Sequence, residues 1–321
     1  MRKSLLMTAL LAAGCTTASG ARSGSPAAKA ETAVAKVLVS DQQENQIGDQ
    51  VYAQLQQQGA KFVTDPTVTS YVKNIFDKLT AQAKKDRPDV DWRVYVIDDP
   101  KQVNAFSTPG GRLYVYSGLL KMVGSDAELA GVLGHEIGHE AARHVARSLV
   151  QQQGLQAVAS MALGNNPNLA GQIATAIIGN GTLLAHSRSE ETEADEYGAR
   201  YASQAGYDPH ALVSFFKKLE KQEGHTPAIT KYISDHPLTA DRIDHLQDYI
   251  ASNHLSGSES STQGLAQVQS ALNGNVATSQ NPQPGSAASG NQTQPAKPGQ
   301  PAPANNKPSA PAPGSAPVHH R

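Results

Sequence analysis

The chain has 321 residues, with 27 Lys and Arg against 28 Asp and Glu and a net charge of −1. No basic run in its middle could neutralise a phosphate backbone, which argues against nucleic acid as a partner. A single Cys rules out an internal disulfide or a thiolate metal cage, so any metal must be held by His and carboxylate.

At the amino terminus Arg2 and Lys3 precede the apolar run Leu5 to Ala13, followed by Gly14 and Cys15. Residues 1–15 therefore have the shape of an export signal, too short to span a bilayer. Small and polar residues over 16–40 fit a flexible tether. From Ser256 to Arg321 the chain is mostly Pro, Ser, Gly, Ala, Asn and Gln. Such a composition cannot offset the entropy of ordering, so 256–321 is expected to be a disordered tail. Residues 41–255 remain, a length that suits one domain with a sizeable core.

Within that domain Asp41 to Gln58 and Pro66 to Lys84 read as helices, the second from Val68, Val72, Ile75, Phe76 and Leu79. Trp92 to Ile97 alternates and is rich in β-branched and aromatic residues, as a strand does. Asn104 to Gly118 reads as two short strands around the Pro109-Gly110-Gly111 turn, with Arg112, Tyr114 and Tyr116 on one face and Leu113 and Val115 on the other. Two readings of this hairpin stay open. It is either a sheet edge that pairs its backbone with an extended polypeptide, through Asn104 and Arg112 to Val115, or an ordinary hairpin closed by its own loops. Leu155 to Ile178 is Ala-rich but interrupted at Asn165 to Asn168, which fits two short helices, over a cleft or in the core, better than a membrane span. The expected fold class is α+β, mainly α with a small β-sheet.

The chemistry concentrates in Ser125 to Val150. Ser125 and Glu128 have the spacing of a capping box, and Leu129, Val132, Leu133 and Ile137 give the following helix an apolar stripe. On that helix His135-Glu136-Ile137-Gly138-His139 matches H-E-x-x-H. Its two imidazoles leave one face a turn apart and can close on one ion, and its carboxylate can take a proton from an activated water. The residue types fit Zn2+, one per chain. A third histidine at the metzincin spacing would fall at Val145, and that pattern's Gly is Ala142, which leaves an acidic ligand. Glu191 and Asp195, four residues apart, share a helix face. One can bind the ion while the other accepts from a ligating imidazole. The same cluster, with Glu190 and Glu193, also reads as a solvated helix start. His144 is expected to leave the helix on a different side from His135 and His139, and His186 has no evident partner.

His135-Glu136-Ile-Gly-His139 with Glu191-Thr-Glu-Ala-Asp195, the Asn104-Ala-Phe and Gly110-Gly111 segment, and His236-Pro-Leu-Thr-Ala-Asp-Arg242 together resemble the HtpX and CAAX prenyl endopeptidase family of zincin-type zinc peptidases, over about Asp41 to Leu255. The resemblance implies His135, His139 and Glu191 as zinc ligands, Glu136 as general base and acid, and Asp195 as the acceptor behind a ligand. The small residues before Cys15 resemble a lipobox, with Ala12 where Leu is usual. Cys15 would then be lipidated and the chain held in the periplasm, at the outer membrane. That matches the soluble lipoprotein branch of the family and implies misfolded or stalled outer-membrane polypeptides as substrates. His236 is expected either to block the metal or to donate to an oxyanion, and Arg242 to bind a substrate carbonyl or to pair with an acid. A chaperone-like assembly factor with an occluded metal site, and a purely structural envelope lipoprotein, are the competing functional readings.

Overall fold

The computed structural model describes residues 39–151, 169–180, 185–223, 226–274, 276–281 and 285–286. The export signal, Cys15, nearly all of the tether, the Asn165 to Asn168 interruption and the chain beyond 286 lie outside the described residues.

Helix α1 (Asp41–Gln57) begins at a reciprocal cap in which Ser40 and Gln43 exchange hydrogen bonds, satisfying two amides that a helix start leaves free. Strand β1 (Phe62–Val63) and helix α2 (Pro66–Ala83) follow; Asp65 caps α2, and Pro66 sits where its missing N–H costs nothing. Strands β2 (Arg93–Ile97), β3 (Ala105–Thr108) and β4 (Arg112–Tyr116) fall where the alternation placed them. The β3–β4 turn passes through Gly110 and Gly111 at φ 83° and 79°, a region that favours glycine. Strand β2 runs parallel to β4, and the sheet order is β3-β4-β2-β1-β5, with β5 at Thr278–Ser279 and β6 (Gly285–Ser286) also pairing β2.

Alternate residues of the central strands enter different cores. Val94, Val96, Leu113 and Val115 join a large cluster with α2 and the later helices, while Tyr95, Ile97 and Tyr114 join a second one with residues of α1. A small mixed sheet buried on both faces follows from strands with few polar positions. On the second face Tyr52, Phe62, Tyr95, Tyr114 and Phe106 form a row of rings, neighbouring centroids lying 4.8 to 5.8 Å apart.

This topology corrects the expected sheet edge. Strand β4 is paired on both sides, by β3 and β2, so the strand at the end of the sheet is β3, whose residues are as buried as Leu113, Tyr114 and Val115. Arg112 is buried as well, and its guanidinium is bound to Asn45, Asp49 and the Gly110 carbonyl. These four residues lie inside the sheet, buried and paired on both sides.

Beyond the sheet come α3 (Ser117–Met122), α4 (Asp126–Ala141), α5 (described over 144–151), α6 (Leu169–Asn180), α7 (Arg188–Gln204), α8 (His210–Gln222), α9 (Thr230–Asp235), α10 (Ala240–Ser252) and α11 (Gln263–Asn273). Among the described residues no helix is long and apolar enough to cross a membrane. Helix α11 and strand β5 overturn the domain boundary drawn at Leu255. Leu265, Val268 and Leu272 are buried in the large core, where α11 packs on α2 and α3, and β5 pairs antiparallel with β1. The three residues form a short apolar stripe at helical spacing inside an otherwise polar composition.

Candidate active site

Ser125 Oγ accepts from Glu128 N at 3.1 Å and starts α4. The reciprocal half of the expected cap does not form, because the Glu128 carboxylate turns to Gly124 N at 2.7 Å and to Lys218. Every residue from Ala127 to Ala141 is buried, so α4 is a central helix with no solvent face. Its closest neighbour is α7, and glycines set the approach. A Cβ on Gly134 would lie 3.0 Å from Gly198 O, one on Gly138 2.8 Å from Ala194 O, and one on Gly198 2.8 Å from His135 N. Only without those side chains do the carboxylates of α7 reach the imidazoles of α4.

There His135 Nε2 and His139 Nε2 stand 3.0 Å apart. Glu191 Oε1 is 3.3 Å from His139 Nε2, and its Oε2 is 3.5 Å from His135 Nε2. His236, from the turn between α9 and α10, brings Nδ1 to 3.3 Å from His135 Nε2 and 3.1 Å from Glu191 Oε1. One ligand atom from each of the four lies within 4.8 Å of the others, and all four residues are buried. Asp195 Oδ1 sits 2.8 Å from His135 Nδ1. Assigning the proton to that nitrogen leaves Nε2 as a bare lone pair facing the group. Imidazole lone pairs and a carboxylate crowded this closely repel one another unless a proton or a metal cation lies among them, and the nitrogen and oxygen donor set suits a divalent ion. Among the described residues His186 Nδ1 and Tyr232 Oη, both buried beside this group, lack hydrogen-bond partners, and Glu136 Oε1 has only a long contact to His236 Nε2 at 3.4 Å, a condition uncommon in interiors without an absent ion, water or ligand.

Arg242 takes one of its two expected roles. It donates from Nε and Nη2 to Asp195 and pairs through Nη1 with Glu191 Oε2 at 2.7 Å, while Nη1 also donates to the Pro237 carbonyl. Its guanidinium also lies over the Phe216 ring, 4.6 Å from the centroid. With each of its three nitrogens engaged by a carboxylate of α7, Arg242 is a positioning residue. Asn104 is likewise occupied, its side chain donating to Asp235 and accepting from Ala105 N, so it shapes the start of β3.

The field inside the site is uneven. Burial works against charge on Glu191, but Arg242, His236 and His139 outweigh it and hold the carboxyl well below its usual range. Asp195 is lowered in the same way, chiefly by Arg242 against its burial. His135 is pushed up to about 9, since Asp195 and Glu191 overcome its burial, whereas burial and the neighbouring His186 hold His139 well below its ordinary value. Burial raises Glu136.

Two histidines that the sequence left unassigned join the site. The expectation for His144 assumed one continuous helix. Instead α4 ends at Ala141, Arg143 adopts φ 60°, and the chain re-enters a helix at His144, whose Nδ1 lies 2.8 Å from His139 Nδ1. Nothing in Ala141-Ala142-Arg143 signals a break, because such residues favour helix. His186 stacks on His139, centroids 3.9 Å apart. The aromatic hydroxyl of Tyr232 was also missed; only its place four residues before His236 connects it to the site.

The model of peptidase family M48 matches residues 66–250. The chain is 31% identical over 223 residues to the metalloprotease LoiP of Escherichia coli, covering 68% of this chain and 84% of that protein. It is 32% identical over 182 residues to the mitochondrial metalloendopeptidase OMA1 of Schizosaccharomyces pombe, covering 57% of this chain and 53% of that protein. With the beta-barrel assembly-enhancing protease of Yersinia pestis it shares 29% identity over 218 residues, covering 65% of this chain and 44% of that protein. Against the last two it therefore spans about half of the relative's length.

Proposed function

This chain belongs to peptidase family M48, and from that premise we propose that it is a zinc-dependent endopeptidase of the bacterial cell envelope. The observation that carries the reading is the convergence of His135, His139 and Glu191, from two helices locked together by glycines, on one buried point. These three would hold the ion. A bound zinc ion supplies Lewis acidity, which lowers the pKa of a water and offsets charge on a carbonyl oxygen.

Glu136, on the same helix turn as His135, takes the proton of the attacking water and passes it to the leaving amine. Its burial favours the protonated form and so makes the carboxylate a stronger base. Asp195 and Arg242 keep His135 and Glu191 in place. The polypeptide is held along β3: Tyr116 N donates to Asn104 O, so in this register residues 104, 106 and 108 bond to β4, and the backbone N–H and C=O of Ser107 point away from β4. Backbone pairing there favours cleavage tolerant of sequence. The name of the Yersinia relative, a beta-barrel assembly-enhancing protease, supports β-barrel proteins as clients, and among them misfolded or stalled chains are the proposed substrates. The signal-like start with Cys15 supports delivery to the periplasm and lipid anchoring at the outer membrane.

One observation favours a second reading. His236 Nδ1 is a fourth member of the donor group, and a set closed by four protein ligands is the arrangement of a structural rather than an open site. That supports a resting state in which His236 occludes the metal and binding of clients matters more than cleavage. Glu136→Gln separates the two. The peptidase reading expects cleavage of an unfolded polypeptide to fall by about 10²- to 10⁴-fold, with zinc still bound and function in cells lost. Function retained in cells without cleavage would favour the binding role.

A further inference from the structure

Downstream of the metal-facing residues lies a second line of polar groups, two buried imidazoles ending on a half-buried carboxylate, that the proposed chemistry does not use. Glu193 Oε2 is 3.2 Å from His144 Nε2, and His144 Nδ1 is 2.8 Å from His139 Nδ1. Arg147 Nη1 donates to the same Glu193 oxygen at 3.0 Å. His144 is fully buried and His139 nearly so. We infer that His144 is a positioning residue for the metal, relaying the hold of a carboxylate on α7 to the imidazole of His139.

Proton placement follows from the ends of the line inward. A carboxylate can only accept, so His144 donates from Nε2 to Glu193 and presents a bare Nδ1. Opposite it, His139 must donate from Nδ1, which leaves His139 Nε2 as the lone pair aimed at His135 Nε2 and Glu191. The result mirrors the arrangement at His135, whose Nδ1 faces Asp195 directly. Three acids on one helix divide the work: Glu191 toward the ion, Asp195 behind one imidazole, and Glu193 behind the other through His144.

The backbone points the same way. Arg143 is buried and non-glycine, yet it takes a left-handed conformation at φ 60°. Such a conformation persists only where its surroundings over-determine it, and it concentrates at functional sites. Here its guanidinium is held by Glu44 and by the Val39 carbonyl. The consequence of the break is that His144, five residues after His139, turns back to meet it. On an unbroken helix the two side chains would diverge.

His139, His144 and His186 also lie close enough to suggest a second metal. The rings of His139 and His186 are stacked, however, with planes 23° apart, so their in-plane lone pairs run side by side and do not converge. A hydrogen-bonded relay fits this geometry and a second ion does not.

The inference rests on the zinc reading, and one experiment separates their failures. Zinc affinity and stoichiometry are measured on the full chain by chelator competition, for wild type, His144→Phe, His144→Asn and Glu193→Gln, with cooperative thermal unfolding of each metal-free protein as the folding control. Groups that support a metal-bound histidine typically contribute 10- to 100-fold in affinity. His144→Phe should therefore weaken zinc binding by about that factor, while His144→Asn, which keeps an acceptor at the δ position, recovers most of it. Glu193→Gln, at a half-buried position, loosens the tautomer and weakens binding by a smaller factor; it carries the test if the Phe variant does not fold. Wild-type affinity in folded His144→Phe, or in Glu193→Gln where the Phe variant is unfolded, overturns the relay, as does a stoichiometry of two. Absence of zinc binding by wild type overturns the metallopeptidase reading itself.

Discussion

The helix that carries His135 and His139 is held in different ways at its middle and at its end. Its middle is fixed by shape: Gly134, Gly138 and Gly198 let α4 and α7 touch through their backbones, with apolar packing around them. Past Ala141 the structure is fixed by charge. Arg143 pairs with Glu44, Arg87 pairs with Glu44 and Asp41 and donates to the Glu140 carbonyl, and the Glu140 carboxylate accepts from Gly110 N. Shape holds a pair of helices at a set distance, whereas the ionic cluster keeps a backbone in a conformation that it would otherwise leave. The ligand geometry depends on both, since Glu191 comes through the glycine seam and His144 through the ionic end.

The largest effect is expected at the ionic end. Glu44 is 1% exposed and faces Arg87 and Arg143. Glu44→Ala leaves the buried Arg143 and the half-buried Arg87 to share Asp41, and breaking a buried pair costs up to about 3–5 kcal/mol. Urea unfolding of the metal-free protein checks it; a loss below about 1 kcal/mol, the scale of a surface pair, would mean that charge is not what holds this end. At the seam the change is smaller but reaches the metal. Gly198→Ala places a methyl 2.8 Å from His135 N, so α7 must retreat from α4. Overpacking of this kind costs about 1–3 kcal/mol. Zinc affinity should fall with it, because Glu191 and Asp195 move with their helix, and unchanged affinity would show that the seam has slack.

The same contrast explains what could be read from the sequence. His135, His139 and Glu191 were legible because a regular helix converts spacing into direction, and the four-residue interval repeats in Glu191 and Asp195. The strands were legible from alternation. His144 was misplaced because its direction depends on one residue, Arg143, whose left-handed backbone is enforced by Glu44, about a hundred positions earlier, and by no local signal. The sheet edge was misassigned for a related reason. Both strands of the hairpin look alike in composition, and only the parallel pairing of β2 with β4 decides that β3 is the strand at the end of the sheet. Helix α11 escaped notice because its stripe of Leu265, Val268 and Leu272 is outweighed by the polar residues around it.

The smallest effect is the one that tests the charge at the helix end most directly. Glu140 is buried beside Glu44, and burial first, then the Glu44 charge, pushes its carboxyl up to about 8 despite Arg87, Arg143 and the Gly110 amide. A carboxyl with a raised pKa favours the fold while it is protonated. Its contribution is complete below the unfolded value of about 4.5 and disappears as pH rises through about 8. The contribution of this group to the stability of the metal-free protein should therefore fall between pH 5 and pH 8.5, by no more than about 1.4 kcal/mol per pH unit. His135, raised to about 9, and Glu44, raised by its burial, have the same sign in that window, while His139 and His186, held low by burial, act the other way below about pH 6.5, so the raw slope does not isolate Glu140. Glu140→Gln does, since its amide oxygen can still accept from Gly110 while nothing titrates. The urea midpoint of this variant should decline less steeply with pH than that of wild type. If the two curves run parallel, Glu140 is ionised throughout, and the end of the helix rests on balanced opposite charges without a shared proton.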